Sequence, residues 1–269
     1  MLPQRLLLAI FSLHKFSVAT VLPHPYSISD TKQGRSSNAS PRVIQPDEVI
    51  VFGRNGEHKI MKESEWEELV RQDELFSQQS GPSEDFVSAA LNSTANEDTQ
   101  SVKRDCEKST ELQILDTTYF NNWDVPMSGV IQANGVTPGP GNTISVTDGF
   151  QLANAITVGS TTTVTLIAAI LQTAVNFQYA RTWTTTYTAA YTFTVPKDDY
   201  GLVISNPYTR RVSGNTLSGC TGSWNKEYFQ ADSYFETSQS GLSWVQGVIR
   251  LCASSKYPVP YCLGNGVHR

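Results

Sequence analysis

The most regular pattern in the chain is an alternation of threonine with aromatic and β-branched residues from Thr182 to Val195. Successive side chains on a strand point to opposite faces, so this pattern predicts one long strand with an aromatic face and a threonine face. Shorter runs rich in β-branched and aromatic residues occupy 150–158, 200–205 and 242–252, between turns containing Gly, Pro or Asn. The second half of the chain is therefore predicted to be rich in strands.

One segment has a different spacing. Residues 163–179 are predicted to form an amphipathic helix, because apolar residues recur at intervals of three and four positions. These residues are Ile167, Ile170, Leu171, Ala174 and Phe177. We therefore expect an α+β fold for residues 105–269, with a sheet-dominated core and one amphipathic helix.

A smaller unit is predicted earlier in the chain. Two strand-like runs, at 48–52 and 57–61, flank Arg54-Asn55-Gly56, and Asn-Gly is a strong hairpin signal. Residues 63–76 then place Trp66 and other apolar residues near one helical face. The pattern predicts a small ββα unit, which acts either as a folding aid or mask for the later domain or as an independent spacer.

The first residues have the order of an export signal. Arg5 precedes the apolar block 6–13, and Ser17-Val18-Ala19 offers small residues for a cut after Ala19. We therefore expect residues 1–19 to be a signal peptide and the protein to be secreted and extracellular.

A dibasic pair, Lys103-Arg104, lies at a break in composition. The region 20–104 is rich in acidic residues and ends in a polar run that we expect to be open to proteases, whereas 105–269 carries fewer charges for its length. This arrangement predicts a preproprotein, in which a furin-like or kexin-like protease separates an acidic pro-region from a mature domain.

The glycosylation signals and the cysteines lie on opposite sides of the Lys103-Arg104 pair. The sequons at Asn38 and Asn92 precede the dibasic pair. In an oxidising compartment four cysteines should form two disulfides, and three connectivities are open. The cysteines all follow the pair, at Cys106, Cys220, Cys252 and Cys262.

Composition narrows the classes of function. The net charge is −5 and basic residues are scattered, which argues against nucleic-acid binding. No apolar run reaches the length of a membrane helix, so none is expected. The chain has no CxxC, and His268 is the only histidine after residue 104, so we expect no metal site, no cofactor and no imidazole-dependent catalysis.

The second half of the chain contains a set of short motifs: TWTTT at 182–186, YGLVISNP at 200–207, Gly219-Cys220 and SWV at 243–245, together with the Arg210-Arg211 and Ser213-Gly214 pairs. As a set, over roughly 143–264, these motifs resemble a family of secreted effector-like proteins of plant-associated filamentous fungi. The resemblance implies a fungal origin, secretion and a role at the host interface. It implies no catalytic residues.

The leading functional hypothesis is a non-enzymatic protein that binds an unidentified host or cell-wall component. Trp224, in a stretch expected to be a loop, is the first candidate for such binding. Arg210 and Arg211, expected in a turn, are candidates for contact with an anionic group, with solvation as the simpler alternative.

Two alternatives remain open at this stage. A glycosidase needs two carboxylates, and Glu227, Asp232 and Glu236 lie among aromatic residues. A pore-forming protein uses long amphipathic strands such as 182–195, and this alternative predicts contact with a membrane surface.

Overall fold

The computed structural model describes residues 42–53, 57–72, 109–134, 142–159, 164–220, 223–239 and 241–269. Strands dominate this part of the chain, which confirms the α+β class with a sheet-dominated core. The helices are α1 (Glu63–Gln72) and α2 (Val164–Val175). The strands, in chain order, are β1 (Arg42–Ile44), β2 (Glu48–Phe52), β3 (His58–Lys62), β4 (Ser109–Asn121), β5 (Val125–Pro126), β6 (Ile131–Gln132), β7 (Thr143–Val146), β8 (Gln151–Ala153), β9 (Ala155–Val158), β10 (Thr182–Thr184), β11 (Thr188–Thr194), β12 (Tyr200–Cys220), β13 (Ser223–Tyr234), β14 (Glu236–Gln239), β15 (Leu242–Val245), β16 (Gly247–Ser254), β17 (Val259–Pro260) and β18 (Val267–His268).

The largest sheet has the order β3-β2-β16-β12-β13-β9, and β4, β5 and β6 also pair with β12. Residues 200–207 of β12 pair with β16 on one side and with β5 and β6 on the other. Residues 209–220 pair instead with β13 and β4. We call β2, β16 and residues 200–207 of β12 the base, and β4, β13 and residues 209–220 of β12 the arm.

The strands of the base are buried on both faces. Apolar side chains at consecutive positions stay dry only when both faces of a sheet are covered, because neighbours point in opposite directions. One face packs against β1, β7, β11 and β15, and the other packs against α1 and the C-terminal residues. The consecutive buried residues are Val49, Ile50 and Val51 on β2 and Leu202, Val203 and Ile204 on β12, all at most 1% exposed.

The N-terminal segment, defined as residues 42–72, belongs to this architecture. Its strand β2 pairs antiparallel with β16, and β1 pairs in parallel with β11 in a separate three-stranded sheet. Helix α1 follows β3 directly and packs Trp66, 6% exposed, against Val49, Val51 and Val248 of the base. The described residues of this segment therefore share their hydrophobic cores with the rest of the chain.

Helix α2 covers one face of the arm. Ile167, Leu171 and the following Phe177 are at most 1% exposed and pack against Val212 and Phe229. The apolar spacing that predicts a helix over 163–179 is confirmed for 164–175, and residues 160–163 lie outside the described part.

The expectation of one long strand from Thr182 to Val195 is wrong. The segment forms β10, which pairs with β8, and β11, which pairs with β7 and β1. Thr185 lies at the break, where its hydroxyl donates to the carbonyl of Thr147 and accepts from the amide of Phe150. Tyr187, placed on the buried face by the alternation, is 62% exposed.

Two other predicted strands are also interrupted. The run 150–158 divides into β8 and β9, which join different sheets, and 242–252 divides into β15 and β16. Gly247 follows the second break with φ of 140°. A Cβ there would lie 2.3 Å from the carbonyl oxygen of Asn206, so glycine permits the close approach of β16 to β12.

Candidate functional site

The outer end of the arm presents a face that combines one large aromatic ring with polar side chains. Trp224 lies on β13 opposite Gly219, and Lys226 lies opposite Leu217. Glu111 on β4 also pairs with Leu217, so these side chains point to the same face. Trp224 is half-buried, while Glu111 and Lys226 are exposed. The expected loop around Trp224 is wrong, because this residue belongs to a paired strand.

This face continues toward the base with Gln113, Asn215 and Tyr228, which occupy one row of the pairing register. Asn215 is 4% exposed, and its amide nitrogen has no hydrogen-bond acceptor among the described residues. Within this row Gln113 is exposed and Tyr228 is half-buried, so the buried polar position is Asn215, at the centre of the three strands.

Arg210 and Arg211 lie on β12, so the expectation of a turn there is wrong. Arg211 is 5% exposed and donates from Nε and one terminal nitrogen to the carboxylate of Asp232, at 2.7 Å each. Its guanidinium also lies 4.7 Å from the ring centroid of Phe120. The charge of Arg211 is thus neutralised inside the arm and is turned away from any external anion.

Arg210 points to the opposite face. Its Nε donates to Ser233 Oγ at 3.1 Å, and burial lowers the pKa of its guanidinium. The ring of Phe235 lies 6.0 Å away. The two neighbouring arginines therefore do not form a joint anion site, because the pleat of β12 sends them to different faces.

The three acids of the glycosidase alternative, Glu227, Asp232 and Glu236, each have a different environment in the structure. Asp232 is held by Arg211, and Glu236 accepts a hydrogen bond from Arg181. Glu227 is 9% exposed and lies against Gly159 on the face covered by α2. Because Glu227 and Asp232 are five positions apart on one strand, they point to opposite faces, which does not suit a pair of catalytic carboxylates.

A buried carboxylate, Asp124, contacts several residues near the C-terminal end of the chain. Its oxygens accept hydrogen bonds from the amides of Cys262 at 2.6 Å and Leu263 at 3.0 Å. They also accept from Asn206 Nδ2 at 2.8 Å and lie 3.2 Å from His268 Nε2. The side chain of Asp124 is completely buried. The sequence indicates no role for His268, yet this histidine is 5% exposed, and its contact with Asp124 anchors the C-terminal residues.

Asp124, Cys252 and His268 place possible metal-ligand atoms within 4.8 Å of one another. Cys252, however, forms a disulfide with Cys262 and offers no thiolate. The carboxylate already accepts hydrogen bonds from backbone amides. Two remaining ligand atoms do not make a metal site, so the group is better suited to tying β5, β16 and β18 together.

The predicted disulfides are supported by one pair, Cys252 with Cys262, and Cys220 is also disulfide-bonded. No described cysteine is free.

The remaining residues of the predicted processing, glycosylation and disulfide sites lie outside the described part of the chain. They are Ala19, Asn38, Asn92, Lys103, Arg104 and Cys106.

A cavity of about 280 Å³ lies between α1, β16 and the C-terminal residues, with Trp66, Val70, Arg250 and Leu263 in its wall. Arg250 forms an ion pair with Glu63 at the start of α1. This volume lies just below the usual range for small-molecule pockets, roughly 300–1,000 Å³. Because its wall includes residues of α1 and β16, the cavity lies at the contact between the N-terminal segment and the base.

Neither described helix combines the length and the apolar character that a membrane crossing requires. The sequence matches no protein-family model, and it has no significant match among curated proteins or solved structures.

Proposed function

We propose that this chain is a secreted, effector-like protein that binds a wall polysaccharide at the host or cell-wall interface without catalysing a reaction. Its contact surface is the outer face of the arm. The export signal and the resemblance of residues 143–264 to secreted fungal proteins support the location.

The observation that carries the proposal is the half-buried side chain of Trp224 on a paired strand, on the same face as exposed Glu111 and Lys226. Sugars bind by stacking their apolar faces on aromatic rings and by hydrogen bonding to neighbouring polar side chains. The paired strand holds the backbone of Trp224 in place, so less conformational entropy is lost on binding than from a mobile loop.

The non-enzymatic part of the proposal rests on the acids. Asp232 and Glu236 are each held by an arginine, which favours a structural role for both carboxylates. A preproprotein remains part of the proposal, with a ββα unit in the region 20–104 and a cut after Arg104.

The test is a pull-down of the purified protein, residues 20–269, with insoluble chitin, β-glucan, cellulose, xylan and pectin. We expect at least one polysaccharide to retain the protein. Trp224→Ala should weaken that binding about 30-fold, the effect of removing a dominant aromatic contact.

Tyr187→Ala is the matched control, because Tyr187 is an exposed aromatic residue outside the arm. Binding should survive this change. The proposal fails if no polysaccharide binds, or if Trp224→Ala binds as well as the unmodified protein. Release of dye from liposomes in a parallel assay would instead favour the membrane-active alternative.

A further inference from the structure

The N-terminal segment pairs with two different sheets of the later chain. Residues 49–52 of β2 pair antiparallel with residues 250–247 of β16. Residues 42–44 of β1 pair in parallel with 191–193 of β11. Without the segment, β16 would become an open edge, which proteins ordinarily avoid exposing.

The side chains of β2 enter two separate cores. Ile50 and Phe52 pack in the cluster that contains Val203 and Phe193. Val49 and Val51 point the other way and pack with Val248 and the α1 residue Trp66. These strand residues are at most 3% exposed. The segment therefore contributes to the hydrophobic core on both sides of the base, as an obligate subunit does.

A polar contact also joins the N-terminal segment to the base. Glu63, at the first position of α1, forms an ion pair with Arg250 on β16, whose side chain is 14% exposed. This contact fixes the orientation of α1 over the base.

We propose that cutting the chain after Arg104 does not release the N-terminal segment, so that the processed protein is a two-chain, non-covalent assembly. The cut consumes one water and leaves a carboxyl group on Arg104 and an amino group on Asp105. All four cysteines follow Arg104, so no disulfide joins the two chains, and burial with strand pairing must hold them together. Any glycan on Asn38 or Asn92 then stays with the secreted protein.

This inference rests on the proposed cut after Arg104 and does not depend on polysaccharide binding. It is tested with residues 20–269, in which the recognition sequence of a site-specific protease replaces residues 96–102, so that cutting is complete and controlled. The cut protein is passed through a native size-exclusion column, and each peak is identified by intact mass.

We expect both fragments in one peak, in equal amounts, and their separation only in denaturant. Loss of the N-terminal fragment under native conditions overturns the inference, whether the remaining fragment is then monomeric or aggregated.

Variants show whether the buried face holds the fragments together. At a denaturant concentration at which the unmodified fragments separate slowly, Ile50→Ala should speed the loss of the N-terminal fragment at least about tenfold, because it removes most of a core side chain from the interface. Lys59→Ala is the control, since Lys59 is an exposed residue on β3. Equal rates of loss for the two variants would contradict the proposed interface.

Discussion

The base and the arm share one continuous strand but are stabilised in different ways. In the base, Leu202, Val203 and Ile204 are all apolar and nearly inaccessible, and neighbouring elements cover both faces. In the arm, one face is covered by α2 and most of β4 is exposed. Several buried arm residues on β12 are polar, namely Thr209, Arg211, Asn215 and Thr216.

The comparison teaches that burial alone does not predict how a position responds to substitution. A buried apolar residue loses transfer free energy and leaves a cavity when it is shortened. A buried ionic residue costs little while it is paired, but leaves an uncompensated charge when its partner is removed. The base should therefore be sensitive to side-chain size, and the arm should be sensitive to the loss of one member of a polar pair.

The largest effect is expected at the ion pair of the arm. Asp232→Ala leaves Arg211, 5% exposed, without its carboxylate and should lower the free energy of unfolding by about 3–5 kcal/mol. Denaturant unfolding measures this. The double variant Arg211→Met, Asp232→Leu should recover most of the loss, because neither charge then remains buried. A loss below about 1 kcal/mol in the single variant would show that solvent reaches Arg211.

The second prediction contrasts apolar positions of the two regions. Ile204→Ala in the base should cost about 2–5 kcal/mol in the free energy of unfolding, because Ile204 is completely buried. Leu217→Ala in the arm should cost less than about 1 kcal/mol, since Leu217 is half-buried on the outer face. Similar costs in denaturant unfolding would remove the distinction between base and arm.

The smallest effect concerns His58, at the side of the base. Burial, followed by the charge of Arg42, lowers the pKa of this imidazole below its usual 6.5. The folded state therefore favours neutral His58, and stability is lost as the pH falls from 6.5 through the lower folded pKa.

His58→Gln should make the urea midpoint less sensitive to pH between about pH 7 and pH 5. The rings of Phe52 and Tyr191 lie about 6 Å from the ring of His58, so the substitution also removes packing. The difference between the urea midpoints of the two proteins at pH 7 measures that loss of packing. An unchanged slope between the two proteins would assign the acid sensitivity to other groups.

Short-range patterns in the sequence predict the elements that can be identified from the spacing of neighbouring residues. The three- and four-residue spacing identifies α2, and the run at 48–52 identifies β2. The length of β12 is not predictable in this way, because Asn206-Pro207 and Ser213-Gly214 read as turns. Pairing with β16 keeps the strand extended at Asn206-Pro207, and pairing with β13 and β4 on both sides keeps it extended at Ser213-Gly214. That information lies in distant parts of the chain.

The candidate site shows the same limit. Trp224 stands out in the sequence as an aromatic residue among polar neighbours, although its place on a strand does not. The burial of His268 depends on Asp124, which lies 144 positions earlier. The partner of Arg211 is 21 positions away across a hairpin. No local pattern identifies such pairs, because their members lie far apart in the sequence and meet only in the folded sheet.

The pairing of β2 with β16 also sets the order of events during synthesis. The two strands are about 200 residues apart, so β2 leaves the ribosome about 10–40 s before its partner at ordinary elongation rates. Such distant contacts give slow folding and a long exposure of apolar strands. The apolar run Val49-Ile50-Val51 is thus without its partner strand β16 while the chain grows. A processing protease that acted before β16 was made would separate the two strands before they ever met.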